Sequence, residues 1–280
     1  EDALIHISID DNSQSQLKLL CDEAFGSENF VDTIIWKKRY GGGAKEKHLV
    51  SLHEYILVYA KNISALPALS VPLSQEAIQR YYKNKDSHFK EKGPYRTHPL
   101  EAMKSFDLRE NLNFAIKAPN GDDVFPKRQW RWGPERAAQA LAADEIEFKL
   151  KADGEWSLNS KQYLKTVNGE NRETKFFSLI DNIFTQHGTN QIVSLFGNAK
   201  IFDFSKPSGL LEQLLGFSTS ISEHDIILDF FAGSGSTAHA VMALNAQDGG
   251  NRKHISVQLD ETTDEKSEAR KAGYNTVFEI

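Results

Sequence analysis

Asp229–Val241 reads DFFAGSGSTAHAV and follows the apolar run Ile226-Ile227-Leu228. A short β-branched run ending in an acid, then two glycines two residues apart, then small residues and helix formers, predicts strand, tight turn and helix. Glycine lets the backbone turn sharply and lets a ligand approach it, and the small residues after the turn let the helix pack closely on its strand. Gly233-Ser-Gly235-Ser-Thr-Ala238 formally satisfies G-x-G-x-x-G/A, the dinucleotide fingerprint, and also reads as a plain tight βα turn. Position separates these readings. A dinucleotide fold opens with this unit and adds several strands after it, whereas only 19 residues follow Glu261 in this chain of 280.

Working outward, KPSGLLEQLLGFS predicts a helix entered through a Lys-Pro turn, STAHAVMALNAQ a helix, and KHISVQLDE a strand, so the glycine turn sits in one complete βαβ unit. The rest of the sheet must come from earlier sequence. Residues 3–9, 32–38 and 54–60 carry strand patterns, and SQLKLLCDEAFG between the first two is a helix stopped by Gly26. Cys21 falls at helical spacing with Leu17 and Phe25 and reads as a core residue. The expected fold is therefore α/β, with its order circularly permuted. From residue 66 to 195 the strand–helix rhythm is lost, apart from one helix starting near Pro134. That stretch reads as an inserted domain between core segments 1–65 and 196–280.

Composition narrows the class. With 40% hydrophobic and 26% charged residues the chain reads as globular. Its apolar runs fall far short of the ~20 residues that cross a bilayer, its start carries no cleavable signal pattern, and its one cysteine fits a reducing cytoplasm. The formal charge is −6, and residues 1–30 alone hold one Lys against seven acids. The remainder is balanced but carries basic clusters. Between the second and third strands, Lys37, Lys38, Arg39, Lys45 and Lys47 stand against Glu46 around three consecutive glycines, a loop without a fixed shape of its own.

The permuted order and the letters together resemble the amino-methylating DNA methyltransferases of the β class. DFFAGSGST is similar to that family's S-adenosylmethionine motif D-x-F-x-G-S-G-T-T, and FDFSKPSGLLEQLL resembles its F-x-x-x-K-P-x-x-L-L segment. HISIDDN, DTIIWKKR and HEYILVYAK follow in the family's order, and KHISVQLDETTDEKSEARKAGY is especially like the modification subunit of type III restriction–modification systems. The resemblance implies a Rossmann-like S-adenosylmethionine-dependent methyltransferase fold with an inserted target-recognition domain at 66–195. It also implies a cofactor pocket lined by Asp229, Phe231, Ala232, Gly233, Ser234 and Gly235, with Lys206 and Pro207 on the far wall. Asp229 would meet the cofactor's ammonium, and Phe231 would pack beside the sulfonium. Gln258 stands where the family usually has the acid that binds ribose hydroxyls, and Asp260 or Glu261 could serve instead. Phe230 reads as core, Ser236 and Thr237 as helix caps, and His239 as packing or surface.

The resemblance further implies transfer of methyl to adenine N6 on a base flipped from double-stranded DNA. Asp10, Asp11 and Tyr55 fall near the expected base pocket. Lys37, Lys38, Arg39, Lys45 and Lys47, and in the inserted domain Lys127, Arg128 and Arg131, are candidates for DNA contact. Trp130 and Trp132 read equally as core or as stacking surfaces. The family's [D/N/S]-P-P-[Y/F] motif precedes HISIDDN in its order, and no Pro-Pro pair occurs in these 280 residues. The expectation is a truncated chain without catalytic residues of its own, from a bacterial, cytoplasmic parent that dimerises and partners a restriction subunit. The alternatives are a catalytically silent DNA-binding or specificity module of the same fold and, from another class, a nicotinamide oxidoreductase.

Overall fold

The computed structural model describes residues 2–43, 46–102, 107–221 and 223–280. The chain forms two compact units, Glu1–Val71 with Lys175–Ile280, and Pro72–Thr174. The first unit opens with β1 (Leu4–Ile9), α1 (Gln14–Phe25), β2 (Phe30–Lys37) and β3 (His53–Ala60). β3 lies antiparallel between β1 and β2, with Ile9 opposite Tyr55 and Trp36 opposite Glu54. As a central strand it is covered on both faces, and so Ile56–Ala60 is a continuous buried run rather than an alternating one. On one face Ile5, Ile7, Leu57 and Tyr59 pack on α1 through Leu17 and Cys21. The buried thiol is core packing, as its spacing predicts.

The second unit follows β4 (Val71–Pro72) and contains α2 (Gln75–Tyr81), α3 (Phe89–Lys92), β5 (Tyr95–Pro99), β6 (Ile116–Lys117) and β7 (Asp123–Val124). It continues through α4 (Pro134–Ala142), β8 (Ile146–Leu150), β9 (Trp156–Tyr163) and β10 (Glu173–Thr174). α4 begins with Pro134 in its first turn, where a missing N–H costs nothing. β5, β9 and β8 form an antiparallel sheet. Leu100, Ile116, Trp130, Ala137, Ala140, Ile146 and Leu158 make its core.

The chain returns to the first unit with β11 (Leu179–Ile180), which pairs in parallel with β2. The second unit is thus shorter at both ends than the expected 66–195. Leu69, Val71, Phe176, Ile180 and Ile183 pack into the first unit's core with Ile34, Trp36, Ile56 and Val58. A two-residue strand is too short to show a period, which hides this segment from pattern reading.

α5 (Thr185–Phe196) and α6 (Ser208–Ser218) lead to β12 (Ile226–Asp229), α7 (Ser236–Asp248), β13 (Lys253–Ser256) and α8 (Glu268–Lys271). α6 is apolar on two sides because two layers use it. Leu210, Leu214 and Phe217 cover the first sheet, while Leu211 and Leu215 pack with Ala240, Val241 and Leu244 of α7. β12 and β13 are parallel, with Leu228 beside Ile255. Among the described residues this pair shares no ladder with the β1–β3–β2–β11 sheet; α6 joins them instead. The architecture is mixed α/β with the glycine-turn unit after the other strands, in the permuted order read from sequence.

Candidate functional site

β12 ends at Asp229, and the turn after it is built by that carboxylate. One oxygen accepts the Phe231 N–H at 3.1 Å and the other accepts the Thr237 hydroxyl on the first turn of α7. Gly233 and Gly235 have φ of +54° and +69°, the left-handed region that L side chains rarely occupy. The Ala232 N–H is given to the Val257 carbonyl at 3.1 Å. The Gly233 N–H is given to Oε1 of Gln258 at 2.8 Å. The turn is therefore held at both ends and in the middle. Gly235 is the N-cap of α7, and no side chain caps that helix. Thr237, expected as a cap, instead bonds Asp229, because Gly235 already occupies the cap position.

A second wall comes from the Lys-Pro segment. The hydroxyls of Ser205 and Ser234 lie 2.8 Å apart, those of Ser234 and Ser236 2.9 Å, and Ser236 donates to the Lys206 carbonyl at 2.7 Å. Pro207 is fully buried at the entry to α6. Gly188 on α5 permits this approach, since a Cβ there would overlap the Ser205 carbonyl oxygen. Nothing in the local sequence marks Gly188; a glycine inside a helix signals only a close neighbour of unknown identity. In the turn itself Phe231 is 81% exposed. Phe230, expected in the core, is 52% exposed and lies against Phe231 with ring centroids 5.1 Å apart. The strand has ended at Asp229, so its alternation no longer turns Phe230 inward.

The Lys206 ammonium reaches the other way, to Glu54 at 3.2 Å, and sits 5.1 Å over the Trp36 ring. Glu54 also pairs with Lys38 at 2.7 Å. Burial pushes the Glu54 carboxyl up, but the two ammonium groups outweigh it and hold it below its usual range. Glu54 did not stand out in the sequence, where it is one acid in a strand. Lys38 is thereby paired within the sheet.

Beside Glu54, at the ends of β1 and β3, Asp11 accepts a hydrogen bond from Ser51 at 3.0 Å, and His53 Nε2 lies 3.0 Å from the Tyr55 hydroxyl. Hydrogen bonds from Tyr55 and Ser51 hold the Asp11 carboxyl below its ordinary value. Asp11 and Tyr55 are thus brought together, with Ser51 and His53 added. Asp10 instead folds back on the Asn12 N–H at 3.0 Å in an Asx turn. Lys37 is half-buried at the end of β2, and Arg39 and Lys47 are exposed. Lys45 lies outside the described residues. Asp260 is exposed beyond β13, and His239 is on the surface of α7.

In the second unit Trp130 is a core residue, 2% exposed, with its indole N–H on the Phe114 carbonyl at 2.8 Å. Trp132 is half-buried, with the Arg136 guanidinium 4.8 Å over its ring. Lys127 pairs with Glu155 at 2.6 Å. Arg128 is exposed at the surface, its backbone N–H on Glu101 at 3.0 Å, and Arg131 is exposed.

The arrangement offers a glycine cradle fastened by a carboxylate, an exposed aromatic ring next to it in the chain, and a separate polar cluster at the strand ends. Against known proteins, the sequence model N6_N4_Mtase, described as DNA methylase, matches residues 1–263. The chain is 37% identical over 276 residues to the StyLTI Mod subunit of a type III restriction-modification enzyme from Salmonella typhimurium, covering 99% of this chain and 40% of that one. It is 32% identical over 313 residues to the EcoP15I Mod subunit from Escherichia coli, covering 100% and 47%. It is 29% identical over 300 residues to the type II methyltransferase M.KpnI from Klebsiella pneumoniae, covering 99% and 67%. The chain thus spans under half the length of those Mod subunits. Among solved structures, a DNA modification methylase from Thermus thermophilus complexed with S-adenosyl-L-methionine aligns with a TM-score of 0.34 and 13% identity, over 91% of this chain and 62% of that one.

Proposed function

The chain belongs to the DNA methylase family, and on that premise we propose that it is the cofactor-holding and target-recognition part of an S-adenosylmethionine-dependent adenine-N6 DNA methyltransferase, the modification subunit of a type III restriction–modification system. The carrying observation is the cradle itself: Gly233 and Gly235 in left-handed conformation, fastened by Asp229 and Gln258, with the exposed Phe231 ring beside them. A cofactor with a methionine end and a sulfonium fits that donor set. Asp229, with acceptor capacity beyond its two internal bonds, receives the ammonium; the face of Phe231 receives the sulfonium. The cofactor supplies the activated methyl group. Lys206 and Pro207 shape the far wall, and Asp260 lies near the ribose end.

Asp11 and Tyr55 line the pocket for the flipped base, and Lys37, Arg39 and Lys47 hold DNA phosphates. Pro72–Thr174 is the recognition domain, and Arg131 with its neighbours meets the duplex there. The partners are double-stranded DNA, a second copy of the protein and a restriction subunit, in the bacterial cytoplasm.

Two measurements decide. Calorimetry with S-adenosylmethionine and its demethylated product should show binding by this chain; a folded chain that binds neither removes the cofactor reading. Transfer of a labelled methyl to duplex DNA, followed by nucleoside digestion, separates adenine N6 from cytosine N4. Cofactor and DNA binding without transfer supports the silent module.

A further inference from the structure

One face of the second unit's sheet changes character along its length. Strand residues two apart share a face. On β9 that face reads Leu158, Ser160, Gln162, and opposite it His98 stands beside Ser160 and Arg96 beside Gln162. Leu158 belongs to the buried core with Leu100 and Trp130. The same stripe then becomes polar, although its residues stay half-buried. Arg96 lies over the Tyr82 ring at 5.3 Å, but packing gives no such reason for Ser160, Gln162 and His98 to continue a core-facing row.

A cleft of 230 Å³ opens over this polar end, lined by His98, Ser160, Gln162, Arg131 and Trp132 with Pro99 and Leu100. That is below the roughly 300–1,000 Å³ of sites for drug-sized molecules and suits the edge of one planar ring. Its polar groups are oriented. Gln162 Oε1 accepts from Arg96 Nε at 2.6 Å, which leaves its amide N–H groups free to donate. The Ser160 hydroxyl is given to the His98 carbonyl at 3.3 Å. Arg131 is exposed at the rim, its guanidinium 3.5 Å from the Pro99 carbonyl, and Trp132 supplies an apolar wall.

We infer that this cleft reads one base of the DNA target, with the Arg131 fork and the Gln162 amide as its hydrogen-bond donors and Trp132 as the contact wall. Donors of this kind meet the acceptor edge of a purine: Arg pairs with O6 and N7 of guanine, and Gln meets adenine. The inference rests on the DNA methylase reading and deepens it by naming specificity-determining residues.

The test selects bound duplexes from a pool with a randomised centre, using the whole chain with S-adenosylmethionine's demethylated product present. Wild type is compared with R131K, which keeps the charge and loses the fork. It is also compared with Q162E, which keeps an acceptor for Arg96 and replaces the donors facing the cleft. Wild type should select one sequence. Each variant should lose preference at one position by roughly 5- to 150-fold, the value of one bidentate base contact, while preference elsewhere stays. A general loss of affinity with unchanged preference, or variants that select the wild-type sequence, overturns the inference. So does a wild type that binds cofactor and DNA but selects no sequence. A folded wild type that binds neither cofactor nor DNA brings down the methylase reading itself. Thermal melts of each preparation show that it is folded, and R131A is the substitute if R131K is not.

Discussion

The side-chain carbonyl of Gln258 accepts the N–H of Gly233 at 2.8 Å, so a residue two positions beyond β13 fastens the turn after β12. Its position in the sequence suggests a partner for ribose hydroxyls, and the same side chain also holds the loop through one lone pair of its oxygen. Leaving such a group unpaired costs about 1–3 kcal/mol, and part of that cost falls on ligand binding. Q258A should therefore weaken binding of S-adenosylmethionine's demethylated product by roughly tenfold, equivalent to about 1.4 kcal/mol. Q258E, which still accepts the Gly233 N–H, should lose less. Equal calorimetric affinities for wild type and Q258A would remove the fastening role.

Gly188 leaves room for the Ser205 carbonyl on the Lys-Pro segment. G188A adds one methyl group where backbone already stands. Helix propensity alone would favour alanine by about 1 kcal/mol, but overpacking of this kind costs about 1–3 kcal/mol. A lower melting temperature for G188A is expected; a higher one would mean that propensity wins and the segment yields.

Glu54 is held below its usual pKa by Lys38 and Lys206 despite its burial. A carboxylate depressed in the folded state contributes stability above its unfolded pKa of about 4.3, and loses it as pH falls through the folded value. E54Q should cost about 1–2 kcal/mol at neutral pH, screening included. Denaturant titrations should also show a flatter fall in stability below about pH 4.3 for E54Q. An unchanged acid limb would show that the two lysines find other partners.

His6 lies edge-on to Phe217 with ring centroids 5.6 Å apart, and its Nε2 is shut from solvent without a hydrogen-bond partner. Burial lowers its pKa from 6.5 to about 4. The unfolded chain then binds a proton that the folded chain refuses, so stability is full above pH 6.5 and falls as pH drops toward 4. The slope from this residue is at most about 1.4 kcal/mol per pH unit. H6L should flatten stability in that window, which is separate from the window of Glu54.

Lys38 is paired to Glu54 whereas Arg39 is exposed. If the loop holds phosphates, R39A should reduce the salt slope of duplex binding by about 0.9, the value of one released contact. K38A should change the slope less and the melting temperature more. Equal slopes for the two variants would place Lys38 among the phosphate contacts after all.

Much of the frame was legible. The strand patterns at 3–9, 32–38 and 54–60 became β1, β2 and β3, and the glycine turn joins a strand to a helix as its letters require. The two-residue β11 stayed hidden because it is too short for a period. The exposure of Phe230 was hidden too, since alternation says nothing once a strand has ended. Of the two tryptophans weighed evenly, Trp130 went to the core because its indole N–H finds the Phe114 carbonyl.

By itself the sequence determined what is local: period two or 3.6, glycines where φ is positive, and the order of the segments. These depend on neighbours along the chain and survive any arrangement of the rest. Tertiary structure decided which partner each polar group receives. Gly233 meets Gln258 across 25 residues, Ser205 meets Ser234 across 29, and Lys206 meets Glu54 across 152. Such pairs exist only once the tertiary fold has brought segments distant in sequence together, which gives each donor an acceptor that no local pattern names.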